Sequence, residues 1–210
     1  MSAGEPRTAA AVFDALGTEY EEAFAGSAAH RASLEQLLEV LPPHSRVLDI
    51  GSGTGRPTAQ TLAEAGHTVL GVDVSPVMVD IAARQVPAAE FRCADVRELP
   101  LEEGGFDAVC VYFALLQMSR EEQAEVFRVA GRVLRPGGHL AVATVPLDVE
   151  GVSGTFMGQP VEVTSFGEDE FTTMVEGAGF TVLSRESSMF VPALPAAVPE
   201  PQMFLLARRR

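Results

Sequence analysis

The feature that most constrains the fold of this chain is an apolar run that ends in a carboxylate and a glycine-rich turn. The run covers residues 47–50 and contains Asp49, and glycines follow at alternate positions as far as Gly55. A second apolar run, residues 68–73, ends in Asp73. A strand, a glycine turn, a helix and a strand with an acidic tip form the nucleoside-binding half of an open α/β sheet. The turn glycines allow a ligand to approach the backbone, and the acidic tip suits a ribose diol.

The spacing of the glycines separates two classes of nucleoside cofactor. The dinucleotide fingerprint is G-x-G-x-x-G. Counted from Gly51, the position of the third glycine holds Arg56, and counted from Gly53 it holds Thr58. Asp49 beside the turn would repel a diphosphate and favour a cationic ligand. A nicotinamide-dependent oxidoreductase is therefore the disfavoured interpretation.

The turn and four later segments resemble, in order and in spacing, the motifs of the class I S-adenosylmethionine (SAM)-dependent methyltransferases. Residues 13–24, within the N-terminal leader (residues 1–41), are also similar to the leader of small-molecule methyltransferases. The matched segments are residues 47–55 for the first motif, Asp73 and Asp95 for the second and third acidic positions, residues 106–113 for the fourth strand and residues 134–140 before the fifth strand. This ordered set is far more specific than a lone glycine turn.

The resemblance implies an α/β fold with a Rossmann-like seven-stranded mixed sheet of order 3-2-1-4-5-7-6, flanked by helices. The site is expected at the carboxyl ends of the parallel strands. We expect residues 1–41 to form an N-terminal helical lid and residues 42–210 to form the SAM-binding domain as a single unit. The acceptor pocket is expected between this lid and residues 146–165.

Local patterns predict several elements around this framework. Apolar periodicity predicts helices over residues 9–25 and 28–41, with Gly26 and Ser27 as a hinge between them. Ser119 and Glu122 form a capping box that predicts the start of a helix. A loop or a short hairpin is expected over residues 146–165. The four prolines of residues 192–201 predict a linker, and an antiparallel last strand is expected over residues 202–207.

The resemblance assigns the cofactor contacts to residues at the strand ends. Asp73 is expected to bind both ribose hydroxyls, and Asp95 the adenine amino group. Asp49 is expected to organise the glycine turn and to orient the amino end of the cofactor. Val74 and Met78 either sandwich the adenine or belong to the core. The remaining candidates at this edge are Gly51, Ser52, Gly53, Val96 and Phe113.

The catalytic residues stay unassigned, with three candidates. Gln117 follows the fourth strand, where many relatives carry histidine, and glutamine can orient an acceptor but cannot take a proton at neutral pH. His30 either contacts the acceptor, as a base or otherwise, or lies on a helix surface. Tyr20 either covers the methionine end or packs as an amphipathic side chain. Methyl transfer itself mainly needs alignment and exclusion of water.

Composition excludes several other functions. The net charge of −14 argues against nucleic acid as a partner. The chain has no lysine, so Schiff-base chemistry and a P-loop are excluded. The longest apolar run, near residues 109–118, is too short to span a membrane, and the start has no signal-peptide pattern. We therefore expect a cytoplasmic protein without membrane or nucleic-acid partners, either a monomer or a homodimer.

No metal site is expected. A magnesium site of the catechol type needs clustered oxygen ligands after the fourth strand, and only Asp148 and Glu150, after the fifth strand, come near this requirement. Cys93 and Cys110 lie on strands that are not neighbours in the expected sheet, so we expect no disulfide between them.

The predicted function is metal-independent transfer of a methyl group from SAM to a small-molecule acceptor in secondary metabolism, mainly by proximity and desolvation. The alternative is a methyltransferase fold that binds SAM but performs a non-methylating reaction or a binding role. Gln117 and the shortage of bases motivate this alternative.

Overall fold

A computed structural model describes residues 7–195 and 197–210 of the chain. Strands and helices alternate through most of it, and the last two strands are long. The helices are α1 (Ala9–Leu16), α2 (Thr18–Phe24), α3 (Ala28–Val40), α4 (Thr58–Glu64), α5 (Pro76–Gln85), α6 (Arg120–Val133) and α7 (Glu168–Gly177). The strands are β1 (Arg46–Ile50), β2 (Thr68–Asp73), β3 (Glu90–Cys93), β4 (Phe106–Tyr112), β5 (Leu134–Thr144), β6 (Val149–Phe156), β7 (Gln159–Ser165), β8 (Phe180–Phe190) and β9 (Glu200–Arg209).

Seven strands form one mixed sheet in the order β3-β2-β1-β4-β5-β9-β8. The first five are parallel to one another, and β9 runs antiparallel between β5 and β8. The hairpin strands β6 and β7 lie outside this sheet, so β8 and β9 are its sixth and seventh strands. The predicted order 3-2-1-4-5-7-6 counted only the strands of this sheet. The predicted fold class is therefore confirmed.

Helices cover both faces of the sheet, which is why its central strands are apolar throughout. Val109, Cys110 and Val111 of β4 are fully buried, as expected for a parallel strand between two helical layers. One apolar cluster contains residues of α6 and α7, and another contains residues of α3 and α4. This double layer leaves the carboxyl ends of the strands as the open edge.

The predicted loop or hairpin of residues 146–165 is a hairpin, formed by β6 and β7. It packs against the leader, because Val161 forms a buried apolar cluster with Val12 and Leu16 of α1. The backbone N–H of Arg7 also donates to the carbonyl of Pro160, at 3.2 Å. The leader and the hairpin therefore pack together and cover the carboxyl ends of the parallel strands.

The prediction of one helix over residues 9–25 was wrong. The helix breaks at Gly17, which has a φ of +50° and closes α1 by donating its N–H to the carbonyl of Phe13 at 3.0 Å. Only glycine adopts this left-handed region at little cost. The expected break at Gly26 and Ser27 is present, and the Ser27 hydroxyl accepts the N–H of His30 as the N-cap of α3.

The C-terminal strands are longer than expected. β8 continues to Phe190, and β9 runs from Glu200, inside the predicted proline linker, to Arg209, beyond the predicted residues 202–207. The structure pairs Phe190 with Glu200 in the antiparallel register. In the described ranges, no helix combines the length and the apolar character needed to cross a membrane.

Candidate cofactor and acceptor site

The glycine turn after β1 lies close against the loop that follows β4. Gly51 has a φ of +69°, and a Cβ atom there would lie 2.3 Å from the Cβ of Ala114. The N–H groups of Gly51 and Ser52 both donate to the carbonyl of Val72, at 2.8 and 3.2 Å. The turn is thereby fixed to β2. At Gly53 a Cβ atom would meet no described atom within 4 Å, so this part of the turn faces open space.

Asp73 lies at the tip of β2 with both carboxylate oxygens held in place. Its Oδ2 accepts the N–H of Gly53 at 2.8 Å, and its Oδ1 accepts the N–H of Ser75 at 2.9 Å. Burial raises the pKa of Asp73 above its usual value, and these backbone hydrogen bonds partly offset that rise. Each oxygen has further lone pairs. The carboxylate can therefore accept two more donors, as a ribose diol requires.

Asp49 is buried at the end of β1, and its Oδ2 has no hydrogen-bond partner within the described part of the chain. Burial, and then the nearby Asp73, raise its pKa to about 8. The buried Oγ of Ser52 likewise has no protein partner in the described ranges. Buried polar atoms without partners cost about 1–3 kcal/mol each. A ligand with donors and positive charge would satisfy both groups, and the amino end of SAM fits this requirement.

Asp95 follows β3 and is bound by a neighbouring arginine. The guanidinium of Arg97 donates to both carboxylate oxygens, at distances from 2.6 to 3.0 Å, and also to Glu122 at 2.8 Å. These contacts lower the pKa of Asp95. The carboxylate remains partly exposed and lines a cavity, so its further lone pairs can accept an amino group.

Val74 and Val96 line the same cavity as Asp95. Met78 does not. Its side chain is only 1% exposed, and its backbone N–H donates to the N-cap hydroxyl of Ser75 at 3.0 Å. Of the two alternatives for Met78, the structure places it in the core and not among the described residues that line the cavities.

Three adjacent cavities occupy the carboxyl edge of the sheet. The largest, about 500 Å³, is lined by Asp73 and Asp95, and the second, about 250 Å³, by Asp49 and Ser52. The third, about 90 Å³, is mostly apolar and lies against the hairpin. Two aromatic side chains, Tyr20 and Phe113, line all three. The three cavities therefore meet at these two rings.

Tyr20 reaches the junction from the leader. Its ring packs edge-on against Phe13, with centroids 5.3 Å apart, and lies 4.9 Å from the ring of Phe24. Burial, and then Glu200 and Asp73, raise the pKa of its phenol. Tyr20 therefore stays neutral at physiological pH and covers the junction as an apolar ring with a donor group.

The other two catalytic candidates lie in different cavities. Gln117 lines the largest and the smallest cavity, and its buried Oε1 has no partner in the part of the chain described. His30 lines only the second cavity, and its Nε2 lies 3.1 Å from the Oγ1 of Thr58. Burial, and then Arg31, lower the pKa of His30 to about 4. His30 is neutral at pH 7 and does not line the apolar cavity.

The acidic residues considered for a metal are engaged with an arginine. Arg120 at the start of α6 donates to Asp148 at 2.9 Å and lies 3.7 Å from both Glu150 and Glu170. Its guanidinium also stacks over Phe166. Across the described ranges, no group of three metal-ligating side chains comes together. Cys93 and Cys110 are both free thiols and lie on β3 and β4, which β2 and β1 separate in the sheet.

Sequence reasoning missed Glu200. Its carboxylate lines the apolar cavity and accepts the Nε2 of Gln202 at 2.9 Å, and burial raises its pKa. The residue lies between Pro199 and Pro201, which favoured a linker. The available signal was a single charge three residues before the apolar run of β9, residues 203–207.

Comparisons with known proteins agree with this geometry. The family model for a methyltransferase domain matches residues 47–138. The chain is 32% identical over 184 residues to the methyltransferase GfsG of Streptomyces halstedii, covering 79% of this chain but only 64% of that protein. It is 31% identical to the uncharacterized methyltransferase sll0829 of Synechocystis, covering 74% of this chain and 75% of the relative.

A solved structure extends the similarity to the whole chain. It is the 1,6-didemethyltoxoflavin N1-methyltransferase of Burkholderia thailandensis with bound 1,6-didemethyltoxoflavin and S-adenosylhomocysteine. The two proteins are 25% identical with a TM-score of 0.71, and the match covers 100% of this chain and 92% of that one.

The residues at the carboxyl edge and the relatives lead to the same cofactor. The glycine turn, the fixed carboxylate of Asp73 and the orphaned oxygen of Asp49 fit SAM, and they lie within or beside the segment that the family model matches. Arg56 stands where the dinucleotide fingerprint requires its third glycine, and its presence there agrees with SAM as the cofactor. SAM is the cofactor, and the chain belongs to the class I SAM-dependent methyltransferases.

Proposed function

We propose that this protein transfers a methyl group from SAM to a small-molecule acceptor. SAM supplies an electrophilic methyl group on a sulfonium. The observation that carries the proposal is the meeting of three cavities at Tyr20 and Phe113. Two of them carry the polar groups that suit the cofactor, and the third is apolar. A methyl group at the junction would face this third cavity.

The proposed cofactor contacts follow the distribution of polar groups. Asp73 binds the ribose diol, Asp95 the adenine amino group and Asp49 the amino end. The backbone and hydroxyl groups of the turn and the apolar side chains of the cavity complete the contact set, which comprises Gly51, Ser52, Gly53, Val74, Val96 and Phe113. Because Met78 is buried behind this surface, it has no place in the proposed contact set.

The chain would act on the reaction mainly by alignment and by excluding water. Phe13, Tyr20 and Phe24 form an aromatic cover over the junction. A nucleophile that loses its hydration shell becomes more reactive toward a positioned electrophile. We propose that residues 1–41 are the lid that provides this cover and that residues 42–210 are the SAM-binding domain. Residues 1–6 of the proposed lid lie outside the described residues.

The finer features of the function are part of the same proposal. Asp148 and Glu150 form salt bridges with Arg120, which supports a reaction without a metal ion. The net charge of −14 supports an acceptor that is not a nucleic acid. The Burkholderia enzyme of similar fold holds a small molecule, and we propose a comparable acceptor from secondary metabolism for a cytoplasmic protein. A monomer and a homodimer are both compatible with this site.

One observation favours a second function. Gln117 lies at the junction of the cofactor and acceptor cavities, and an amide cannot take a proton at neutral pH. A protein that binds SAM and performs a non-methylating reaction, or a binding role, would also carry such a residue.

Product analysis distinguishes the two functions. The protein is incubated with SAM, EDTA and a library of small hydroxylated and nitrogen-containing aromatic compounds, and mass spectrometry follows S-adenosylhomocysteine and methylated products. We expect both products to appear in equal amounts, and to decrease in Asp73→Ala at SAM concentrations that do not saturate the variant. Conversion of a library member without S-adenosylhomocysteine would support the second function instead. Activity that vanished with EDTA and returned with magnesium would contradict the metal-free proposal.

A further inference from the structure

The apolar cavity has the walls of a site for the end of a flat ring. It is about 90 Å³ and is lined by Leu116 after β4, Phe156, Val161 and Val163 of the hairpin, and Val145. A dry cavity of about 150 Å³ is large enough for benzene. This cavity is smaller than that, but it shares Ala114 and Gln117 with the largest cavity. A single ring can therefore occupy it only with its reactive edge extending into the junction.

Two oxygen atoms in this wall are available as hydrogen-bond acceptors. The carboxylate of Glu200 and the buried, unpartnered Oε1 of Gln117 both line the cavity, and neither atom can donate. None of the described residues that line it is basic. The cavity therefore offers two acceptors for a donor substituent. Its own donors, the Tyr20 phenol and the Gln117 amide, are neutral, so it has no cation for an anionic substituent.

Glu200 is held toward the cavity by its surroundings. It opens β9 opposite Phe190 of β8, and the Nε2 of Gln202 fixes its Oε1 at 2.9 Å. Gln202 is buried and contacts the hydroxyl of Ser27 in the leader, at 3.4 Å. The carboxylate is half-buried and raises the pKa of the Tyr20 phenol, so the two side chains lie within electrostatic reach of each other at the junction.

We infer that this cavity is the acceptor site and that it selects a single-ring aromatic compound whose hydroxyl or N–H substituent donates to Glu200. The inference rests on the proposed function, which supplies the cofactor beside the ring. Aromatic walls bind the flat faces of such a ring. A carboxylate on the ring would lie against Glu200 with like charge and without a cation, so aromatic acids are excluded.

Three probes of nearly equal size and shape test this selection. They are p-cresol, p-xylene and p-toluate, titrated by NMR against the protein saturated with S-adenosylhomocysteine. A hydrogen bond to a charged group is worth about 1.5–3 kcal/mol, so we expect p-cresol to bind about tenfold more tightly than p-xylene. We expect p-toluate to bind more weakly than either. Equal binding of the three, tightest binding of p-toluate, or binding of none would overturn the inference.

The variant Glu200→Gln separates charge from shape. It should reduce the preference for p-cresol over p-xylene about threefold or more, since a hydrogen bond to a neutral group is weaker. It should also increase the affinity for p-toluate, and a gain of this kind cannot result from misfolding. Unchanged ratios in a variant that still binds S-adenosylhomocysteine would overturn the inference.

Two controls keep this result distinct from the proposed function. Glu39→Gln changes an exposed carboxylate on α3 and should leave all three probe affinities unchanged. The affinity for S-adenosylhomocysteine is measured first, for every variant. Failure to bind it would contradict the proposed function, whereas normal binding with no probe selection would contradict only the inference about Glu200.

Discussion

At the scale of single residues, the site depends on carboxylates whose environments differ. Asp73 has both oxygens fixed by backbone N–H groups, Asp49 has an oxygen without a partner in the described structure, and Asp95 is paired with Arg97. The three therefore differ in charge and in remaining hydrogen-bonding capacity. Each difference leads to a separate expectation for binding.

Replacing Asp73 by alanine should weaken SAM binding about tenfold to a hundredfold or more. The reason is that hydrogen bonds to a charged group contribute about 1.5–3 kcal/mol each. Isothermal titration calorimetry measures the change, and circular dichroism checks that the variant is folded. Asp80→Ala, which removes an exposed carboxylate paired with Arg84 on α5, is the matched control. An unchanged affinity in folded Asp73→Ala would show that this carboxylate does not bind the ribose.

Asp49 should make SAM affinity depend on pH. Its pKa of about 8 means that the free protein holds a proton there at neutral pH. A cationic ligand favours the carboxylate, so binding releases this proton and the affinity should rise with pH toward about 8 and then level off. Calorimetry in buffers of different ionisation enthalpy measures the proton release. Asp49→Asn should remove this part of the pH dependence, and an identical profile in both proteins would argue against the role of Asp49.

The same residue predicts how the ligand-free protein responds to pH. The folded pKa is raised from 3.8 to about 8, so the folded state retains a proton that the unfolded state loses above pH 4. The free energy of unfolding should therefore fall as pH rises from about 4 to about 8. Urea unfolding across this range, compared with Asp49→Asn, isolates this contribution. A stability difference between the two proteins that does not change with pH would contradict the assignment.

At the scale of elements, local signals predicted helix starts better than helix breaks. The capping box is present, with the Ser119 hydroxyl accepting the N–H of Glu122 and the Glu122 carboxylate accepting the N–H of Ser119. This signal works because both partners lie within four residues. The break at Gly17 was missed because a helix tolerates an isolated glycine at a cost of about 1 kcal/mol. The left-handed conformation of Gly17 is set by tertiary packing, which no local sequence signal shows.

The leader should behave as a lid. The segments around Gly17 and around Gly26 and Ser27 separate three short helices, and Ala23 is attached to the C-terminal segment through a 2.8 Å hydrogen bond from Ala193. Cofactor and acceptor together should slow hydrogen exchange in residues 9–35 more than cofactor alone, because a closed cover excludes water. Exchange that is already slow without ligands, and unchanged by both, would show that the helices are fixed structure.

At the scale of the whole molecule, the cofactor half of the site was predictable and the acceptor half was not. Asp49, Asp73 and the glycine turn lie within about 25 residues on adjacent strands, so sequence spacing fixes their positions at one edge. The acceptor cavity combines the leader, the hairpin and Glu200 of β9. No local pattern connects segments so distant in sequence, and only tertiary packing brings them together.

The core and the site should respond separately to substitution. Phe127 of α6 is fully buried against Phe171 of α7, with ring centroids 5.7 Å apart. Phe127→Ala should lower the free energy of unfolding by about 3–5 kcal/mol while leaving SAM affinity nearly unchanged at temperatures where the variant is folded. Urea unfolding and calorimetry measure the two quantities. A loss of SAM affinity as large as that of Asp73→Ala would mean that the core and the site are coupled.

The central claim is that the cofactor and the acceptor meet at Tyr20 and Phe113, where the three cavities join. A crystal structure with bound S-adenosylhomocysteine tests it most directly. We expect the ribose diol on Asp73, the amino end near Asp49, and the sulfur at the junction, directed toward the cavity that contains Glu200. A cofactor whose sulfur pointed away from Tyr20 and Phe113, or whose ribose lay elsewhere than on Asp73, would contradict the account.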